Sequence, residues 1–324
     1  MTTRRSALVY SAAALAALAL PRRAVAQVFP AKPIKIIVPF PPGGPADTAV
    51  RIPQPALEKA LGQPIIIENV PGAAGQLGAQ RVKQSEADGY TLLQAASPHT
   101  TNAAVKPQAH VDLLRDFVPI GQTGNSVYAL CASGASGIKN FAAMVKLAKD
   151  KPGELRIGSV GVGSAHHLIA EMLKSAAGIE LTHVPYRGEA PSIPDLIAGR
   201  IDLMFLTTAK PLIDDGRVIG LGVTSAEPWF NLPHVPPLAK LGLRDFIVPG
   251  WNGVMAPKGT PPMVVDKLSA ALHAALASEQ SVKAFNAMGF KPGEGTPKPM
   301  ARQIEDDMRL FTTVIRERNL KFDT

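Results

Sequence analysis

Short β-branched runs, each closed by a loop of glycine, proline or hydroxyl residues and followed by a stretch of helical periodicity, recur along this chain and direct it toward an α/β layer fold. The first run is Ile34-Lys35-Ile36-Ile37-Val38, closed by Pro39-Phe40-Pro41-Pro42-Gly43-Gly44. Asp47 is expected to cap the helical segment 48–61, whose course Pro53 and Pro55 should break or distort. A second strand at 64–69 ends in a turn at 71–75, a helix covers 76–83, and Asp88-Gly89 turns into a third strand at 90–95. The rhythm restarts with strands at 127–131, 155–158, 181–186, 201–206 and 218–224, and helices at 141–149, 165–176 and 191–198. Two helical stretches, 262–277 and 298–318, close the chain; Val264, Leu268, Leu272 and Leu276 give the first an apolar stripe suited to a sheet face. Each βαβ unit calls for a mainly parallel sheet with helices on its faces.

At 324 residues the chain is long enough for two domains with separate cores. Its single cysteine excludes an intramolecular disulfide framework and a Cys-rich metal centre. Cys131, flanked by Tyr128, Ala129, Leu130 and Ala132, reads as a buried strand residue. The formal charge of +8 is partly a property of the first 26 residues, which hold Arg4, Arg5, Arg22 and Arg23 and no acid. Without them the charge falls to +4, with no basic run, and nucleic acid is not an expected partner. That segment has a basic start, about 14 apolar residues and Ala24-Val25-Ala26, the layout of a secretory leader cleaved after Ala26 and too short to span a bilayer. Export into the periplasm is the expectation, and the paired Arg4-Arg5 leaves general and twin-arginine routes both open.

Ligands of open α/β sheets bind beyond the carboxyl ends of strands. Here those ends carry the loops 39–47, 95–102, 158–167 and 207–211, the first three leading into helix starts whose free N–H groups favour an anion. The run Gly158-Ser159-Val160-Gly161-Val162-Gly163-Ser164 is neither a P-loop nor a dinucleotide fingerprint, and it suits a small carboxylate better than a phosphate ester. Adjacent His166 and His167 diverge by about 100° on a helix and cannot readily share a metal, so no metal site and no cofactor are expected. No G-x-S-x-G elbow is present, and a hydrolase lacks its nucleophile. Trp229 and Trp251 suit either packing or stacking on a ligand.

Several motifs recur in order across nearly the whole mature chain: Lys32 to Asp47, Leu61-Gly62-Gln63-Pro64, Pro71-Gly72-Ala73-Ala74-Gly75, Asp88-Gly89-Tyr90-Thr91-Leu92-Leu93, Asp116-Phe117-Val118-Pro119-Ile120, Gly163-Ser164, His183-Val184-Pro185-Tyr186-Arg187-Gly188 and Ala256-Pro257-Lys258-Gly259-Thr260-Pro261. In these the chain resembles the Bug-type (TctC-like) substrate-binding proteins of tripartite tricarboxylate transporters. The resemblance implies the two-domain periplasmic binding protein fold, a Venus flytrap with its ligand cleft between domains. It assigns 27–124 and 253–324 to domain 1 and 125–252 to domain 2. It implies a monomer that captures a small di-, tri- or aromatic carboxylate and delivers it to membrane permease subunits, with no catalytic residue. A ligand sensor for a signalling partner is the alternative, and a small hydrolase a weaker one. The ligand-binding residues it implies are Pro42, Gly43, Gly44, Pro45, Ala46, Ser97, His99, Asn102, Gly163, Ser164, Ala165, His166 and, in the 207–211 loop, Thr207. Family members often carry an acid after the Met-Phe of the 201–206 strand, where this chain has Leu206-Thr207-Thr208, which suggests a ligand without an amino group. Phe311 stands where a tryptophan is common in the family.

Overall fold

The computed structural model describes residues 29–106, 111–317 and 320. The expected leader and its cleavage point after Ala26 lie outside the described residues. The first sheet has the order β11-β4-β10-β3-β1-β2 and the second β7-β6-β8-β5-β9. The strands are β1 Ile34–Val38, β2 Ile65–Asn69, β3 Thr91–Ala96, β4 Phe117–Val127, β5 Ala129–Ser133, β6 Arg156–Ser159, β7 Thr182–Pro185, β8 Leu203–Leu206, β9 Val218–Val223, β10 Pro249–Pro257 and β11 Lys291–Pro292. β1 lies between β2 and β3, parallel to both, so four of its five residues are buried, as its apolar run requires. β6 holds the same place between β7 and β8. Each sheet is mixed: beyond this parallel half, β10 pairs antiparallel with β3 and β4, and β5 antiparallel with β8 and β9.

The expected interruption by Pro53 and Pro55 divides the second segment into helices Pro45–Arg51 and Gln54–Leu61. Asp47 is not the cap: the helix starts earlier, with Gly44 as its N-cap and Pro45 in its first turn. The Asp47 carboxylate instead accepts from Gly43 N–H (2.9 Å), Arg51 Nε (2.8 Å) and Asn69 Nδ2 (2.9 Å). Asn69 also donates to the Phe40 carbonyl at 3.0 Å, and together these bonds fix the proline-glycine loop after β1. Burial alone would raise the Asp47 pKa, but the Arg51, Gly43 and Asn69 donors outweigh it and hold the group below its ordinary value.

The chain passes from the first sheet to the second through Val127 and Tyr128 and returns through Val248 and Pro249. β4 and β10 run as one antiparallel ladder from Pro249↔Val127 to Pro257↔Phe117, and Gly124 faces Asn252. Thr224 ties the two crossings together. Its buried hydroxyl accepts from Tyr128 N–H (3.1 Å) and donates to Val248 C=O (2.7 Å), while its own backbone bonds both residues at 2.9 Å. The helix Pro297–Glu317 spans both cores: Met300 and Ile304 pack with Ile37, Leu93 and Trp251, and Phe311 with Tyr128, Leu130 and Phe205. Phe311 is fully buried and takes up the packing role expected of the larger ring. On the same helix Asp307 accepts from Trp251 Nε1 (2.6 Å), Gln303 Nε2 (2.8 Å) and Thr100 Oγ1 (3.2 Å).

Thr224→Val keeps the shape and strips both crossings of a buried partner, so it should cost about 1–3 kcal/mol of stability in denaturant titrations. A second expectation concerns pH. Burial raises Asp307 to about 6, its three donors offsetting only part of that. Its folded-state pKa lies above the ordinary 3.8, so the folded chain holds the proton longer, and this contribution to stability falls as pH rises from about 4 to 6. The loss is on the order of 3 kcal/mol, and the difference between wild type and Asp307→Asn, measured across that range, should report it.

Candidate functional site

A cleft opens where loops of the two sheets meet. Phe40, Pro41, Gly44, Pro45 and Ala46 come from the loop after β1, and Ala96, Ser97 and Pro98 from the end of β3. Ser126, Tyr128, Trp251 and Asn252 come from the crossing strands and form its back. Val160, His166, Gly188, Glu189, Ala190 and Thr207 come from the second sheet. The cavity between them is small, about 40 Å³, which holds on the order of three water molecules. Glycine and apolar residues make most of its wall, proline and alanine foremost, and the polar groups are hydroxyls of Ser97, Ser126, Tyr128 and Thr207, the Asn252 amide, and the His166 and Glu189 side chains. Trp251, which from sequence suits either packing or stacking, is buried with its Nε1 on Asp307 and borders the cleft. Trp229 donates from Nε1 to Gly289 C=O at 2.7 Å and lies away from the cleft wall.

Of the residues expected from sequence, Gly44, Pro45, Ala46, Ser97, His166 and Thr207 line the cleft together. Pro42 and Gly43 sit at the exposed tip of the same loop. His99 lies behind the wall, fully buried, its Nδ1 against the Ala96 backbone at 3.0–3.2 Å and its ring edge-on to Phe40 at 5.7 Å. Burial lowers its pKa to about 4, which suits a neutral residue shaping Ala96 and Phe40. Ser164 spends its hydroxyl as N-cap of helix Ala165–Ala177, accepting from His167 N–H, and Ala165 is buried beneath it. Gly163 and Asn102 face each other across the two halves. Gly163 has φ +76°, and a Cβ there would stand 2.8 Å from Asn102 Oδ1. A Cβ at Gly188 would stand 2.9 Å from Pro41 Cδ, so glycine permits close approach of the two halves at two points.

Glu189 was not among the residues expected. It begins helix Glu189–Ile197, and its carboxylate reaches the end of β8, where it accepts from Thr207 N–H and Oγ1, Thr208 N–H and Oγ1, and pairs with His166 Nε2 at 3.2 Å. An acid thus stands beside the end of β8, although none follows Met204-Phe205 in sequence. Burial would raise the Glu189 pKa, but His166 and the Thr208 donors more than offset it, and the group stays ionised below its ordinary value. The strand-end rule that singled out the other loops applies equally to 186–190 after β7, and applying it there would have found this residue. Ser126 and Asn252 lie inside strands and carried no such signal.

The glycine loop after β6 rests on two stacked imidazoles. His167 and His183 lie parallel at 3.9 Å; Gly163 N–H donates to His167 Nδ1 (3.1 Å), and the Ser159 hydroxyl is 2.6 Å from His183 Nε2. Burial, then the His183 ring and Lys174, lower His167 to about 4. A base with a depressed folded-state pKa contributes stability that is complete above about 6.5 and is lost as pH falls toward 4. Protonation at Nδ1 also removes the acceptor of Gly163 N–H. Intrinsic amide exchange slows as pH is lowered, so the readout is protection relative to that rate: at Gly161–Ser164 it should fall as pH drops through about 4, and His167→Gln should flatten that response.

A family model described as "Tripartite tricarboxylate transporter family receptor" matches residues 49–320. Protein BugT of Bordetella pertussis is 33% identical over 91% of this chain and 92% of its own length. Among solved structures, MatC of Rhodopseudomonas palustris with bound malate superposes with a TM-score of 0.84 at 28% identity, covering 89% of this chain and all of that one. A second R. palustris protein, with adipate, gives 0.84 at 31% identity over 89% and 97%. Periplasmic binding proteins with the same two-domain fold are thus its structural neighbours, and no helix among the described residues is long and apolar enough to cross a membrane. With that fold and a family match over most of its length, the chain belongs to the TctC, or Bug-type, family of periplasmic solute-binding receptors and is not an enzyme.

Proposed function

We propose that this receptor captures a small organic acid with two or more carboxylates, or one on an aromatic body, and hands it to the permease of a tripartite tricarboxylate transporter. The observation that carries the reading is the cleft itself: apolar walls with polar groups at the back and on the second-sheet side, suited to a hydrocarbon body with charged ends. Malate and adipate in two relatives of similar fold are acids of this kind. Glu189 gives the wall an acid whose roughly four lone-pair sites are already met by five protein donors. A ligand ammonium finds no acceptor there, which supports a ligand without an amino group on firmer ground than a missing acid does.

In this reading Gly44, Pro45, Ala46, Ser97, His166 and Thr207 touch the ligand, while Asn102 with Gly163, and Pro41 with Gly188, set how closely the halves approach. Domain 1 is 27–124 with 253–324 and domain 2 is 125–252, with the hinge just inside those bounds, at the crossings through Val127-Tyr128 and Val248-Pro249 that Thr224 ties together. A C4–C6 acid needs more room than the present cavity, so it enters an opened form and binding shifts the population toward the closed one. The protein acts as a monomer after loss of its leader at Ala26.

Thermal shift of the refolded protein against malate, adipate, benzoate, amino acids and sugars tests the reading. An acid at a hundredfold excess over its Kd should add about 2.7 kcal/mol of apparent stability. Stabilisation by sugars or amino acids alone would exclude the carboxylate. Gly163→Ala places a Cβ against Asn102 at a positive φ, opposing closure, and should weaken binding of the stabilising acid at least about tenfold while the protein stays folded.

A further inference from the structure

His166 is 3% exposed and lines the cleft, yet only one of its ring nitrogens is engaged. Nε2 faces the Glu189 carboxylate at 3.2 Å, whereas Nδ1 is buried without a partner among the described residues. Glu189 cannot turn away, because Thr207 and Thr208 hold both its oxygens at 2.5–3.1 Å. An ionised carboxylate requires a hydrogen on the nitrogen it meets, so the neutral ring carries its proton on Nε2 and presents a bare lone pair at Nδ1. Toward an incoming carboxylate that lone pair is repulsive. With a second proton, Nδ1–H becomes a charge-assisted donor, and the imidazolium lies between two carboxylates, that of Glu189 and that of the ligand.

We propose that His166 is the carboxylate anchor of the cleft and that it engages the ligand in its protonated form, so that capture of the acid takes up one proton from solvent. The proposal rests on the carboxylate reading above and deepens it: the ligand recognised is an acid anion together with a proton. The groups around the ring agree with this assignment. Tyr128 packs edge-on at 5.1 Å from the crossing segment, and burial pushes its phenol up, keeping it neutral. Ser97 and Thr207 carry no charge, and Cys131 on β5, also pushed up by burial, stays a thiol. Asp307, on the terminal helix, is taken up by Trp251, Gln303 and Thr100. On its own helix the neighbouring His167 is turned to Gly163 and His183. Glu189 is thus the ionised group in direct contact with the imidazole.

Calorimetric titration of the whole protein with adipate and with malate at pH 8.5, in two buffers of different ionisation enthalpy, counts the protons taken up. Close to one per acid is expected in the wild type and close to none in His166→Gln. Affinity of the wild type should fall about tenfold per pH unit in the alkaline range. Binding without proton uptake, at an affinity indifferent to pH, would overturn the anchor and leave the receptor reading intact. If neither these acids nor any other carboxylate bound, both would fall. Imidazole nitrogen NMR of the ligand-free protein gives a readout that does not depend on the variant folding: at high pH His166 should carry its hydrogen on Nε2, and the Nδ1–H tautomer would sink the proposal.

Discussion

A carboxylate that leaves water must be given donors, and the second half of the cleft is arranged around meeting that demand for Glu189. Desolvating an ion costs several kcal/mol unless its lone pairs are satisfied. Here the start of helix Ala209–Asp214 supplies backbone N–H groups and the two threonine hydroxyls, and the ring of His166 supplies the remaining contact. The bonds act in both directions. They keep Glu189 ionised, and they fix the Thr207-Thr208 turn and the imidazole at the places they must occupy to form a wall. Removing the charge would leave four donors on Thr207 and Thr208 competing for a weaker acceptor, so the wall and the acid stand or fall together.

At the chain crossings the organising group is neutral. Thr224 bonds both chain crossings, and β4 and β10 continue from it as one ladder into the first sheet. Two antiparallel strands joined in this way bend and twist more readily than they shear, since sliding breaks every ladder bond and twisting breaks none. Relative motion of the halves is thereby channelled into rotation, which is the motion a flytrap needs.

The sequence showed the parallel arms plainly, because β1 is a short β-branched run and both β1 and β6 end in glycine-rich loops that lead into a helix. β4 was far less legible. Gly121, Gln122, Gly124 and Asn125 have poor strand propensity, and they are extended because β10 pairs with them along their length. In the site, loops placed by the strand-end rule delivered Gly44 to Ala46, Ser97, His166 and Thr207 to the cleft wall. His99 and Ser164, chemically as eligible, turned inward to hold backbone groups instead. Glu189 was hidden because an acid in the first turn of a helix ordinarily faces water and complements the dipole. Its place after β7 marks it as a strand-end candidate, but its burial comes from Thr207 and Thr208, eighteen or more residues further along, and no local pattern announces that.

The long helix Pro297–Glu317 has its first turns in one core and Phe311 in the other. A rod anchored in two bodies cannot follow both when they rotate apart. Either Phe311 slides within its pocket or the last turns lift away, and in both cases the end of this helix moves in step with the mouth of the cleft. A dye attached near Glu317 would therefore serve as an optical gauge of solute occupancy without touching the solute.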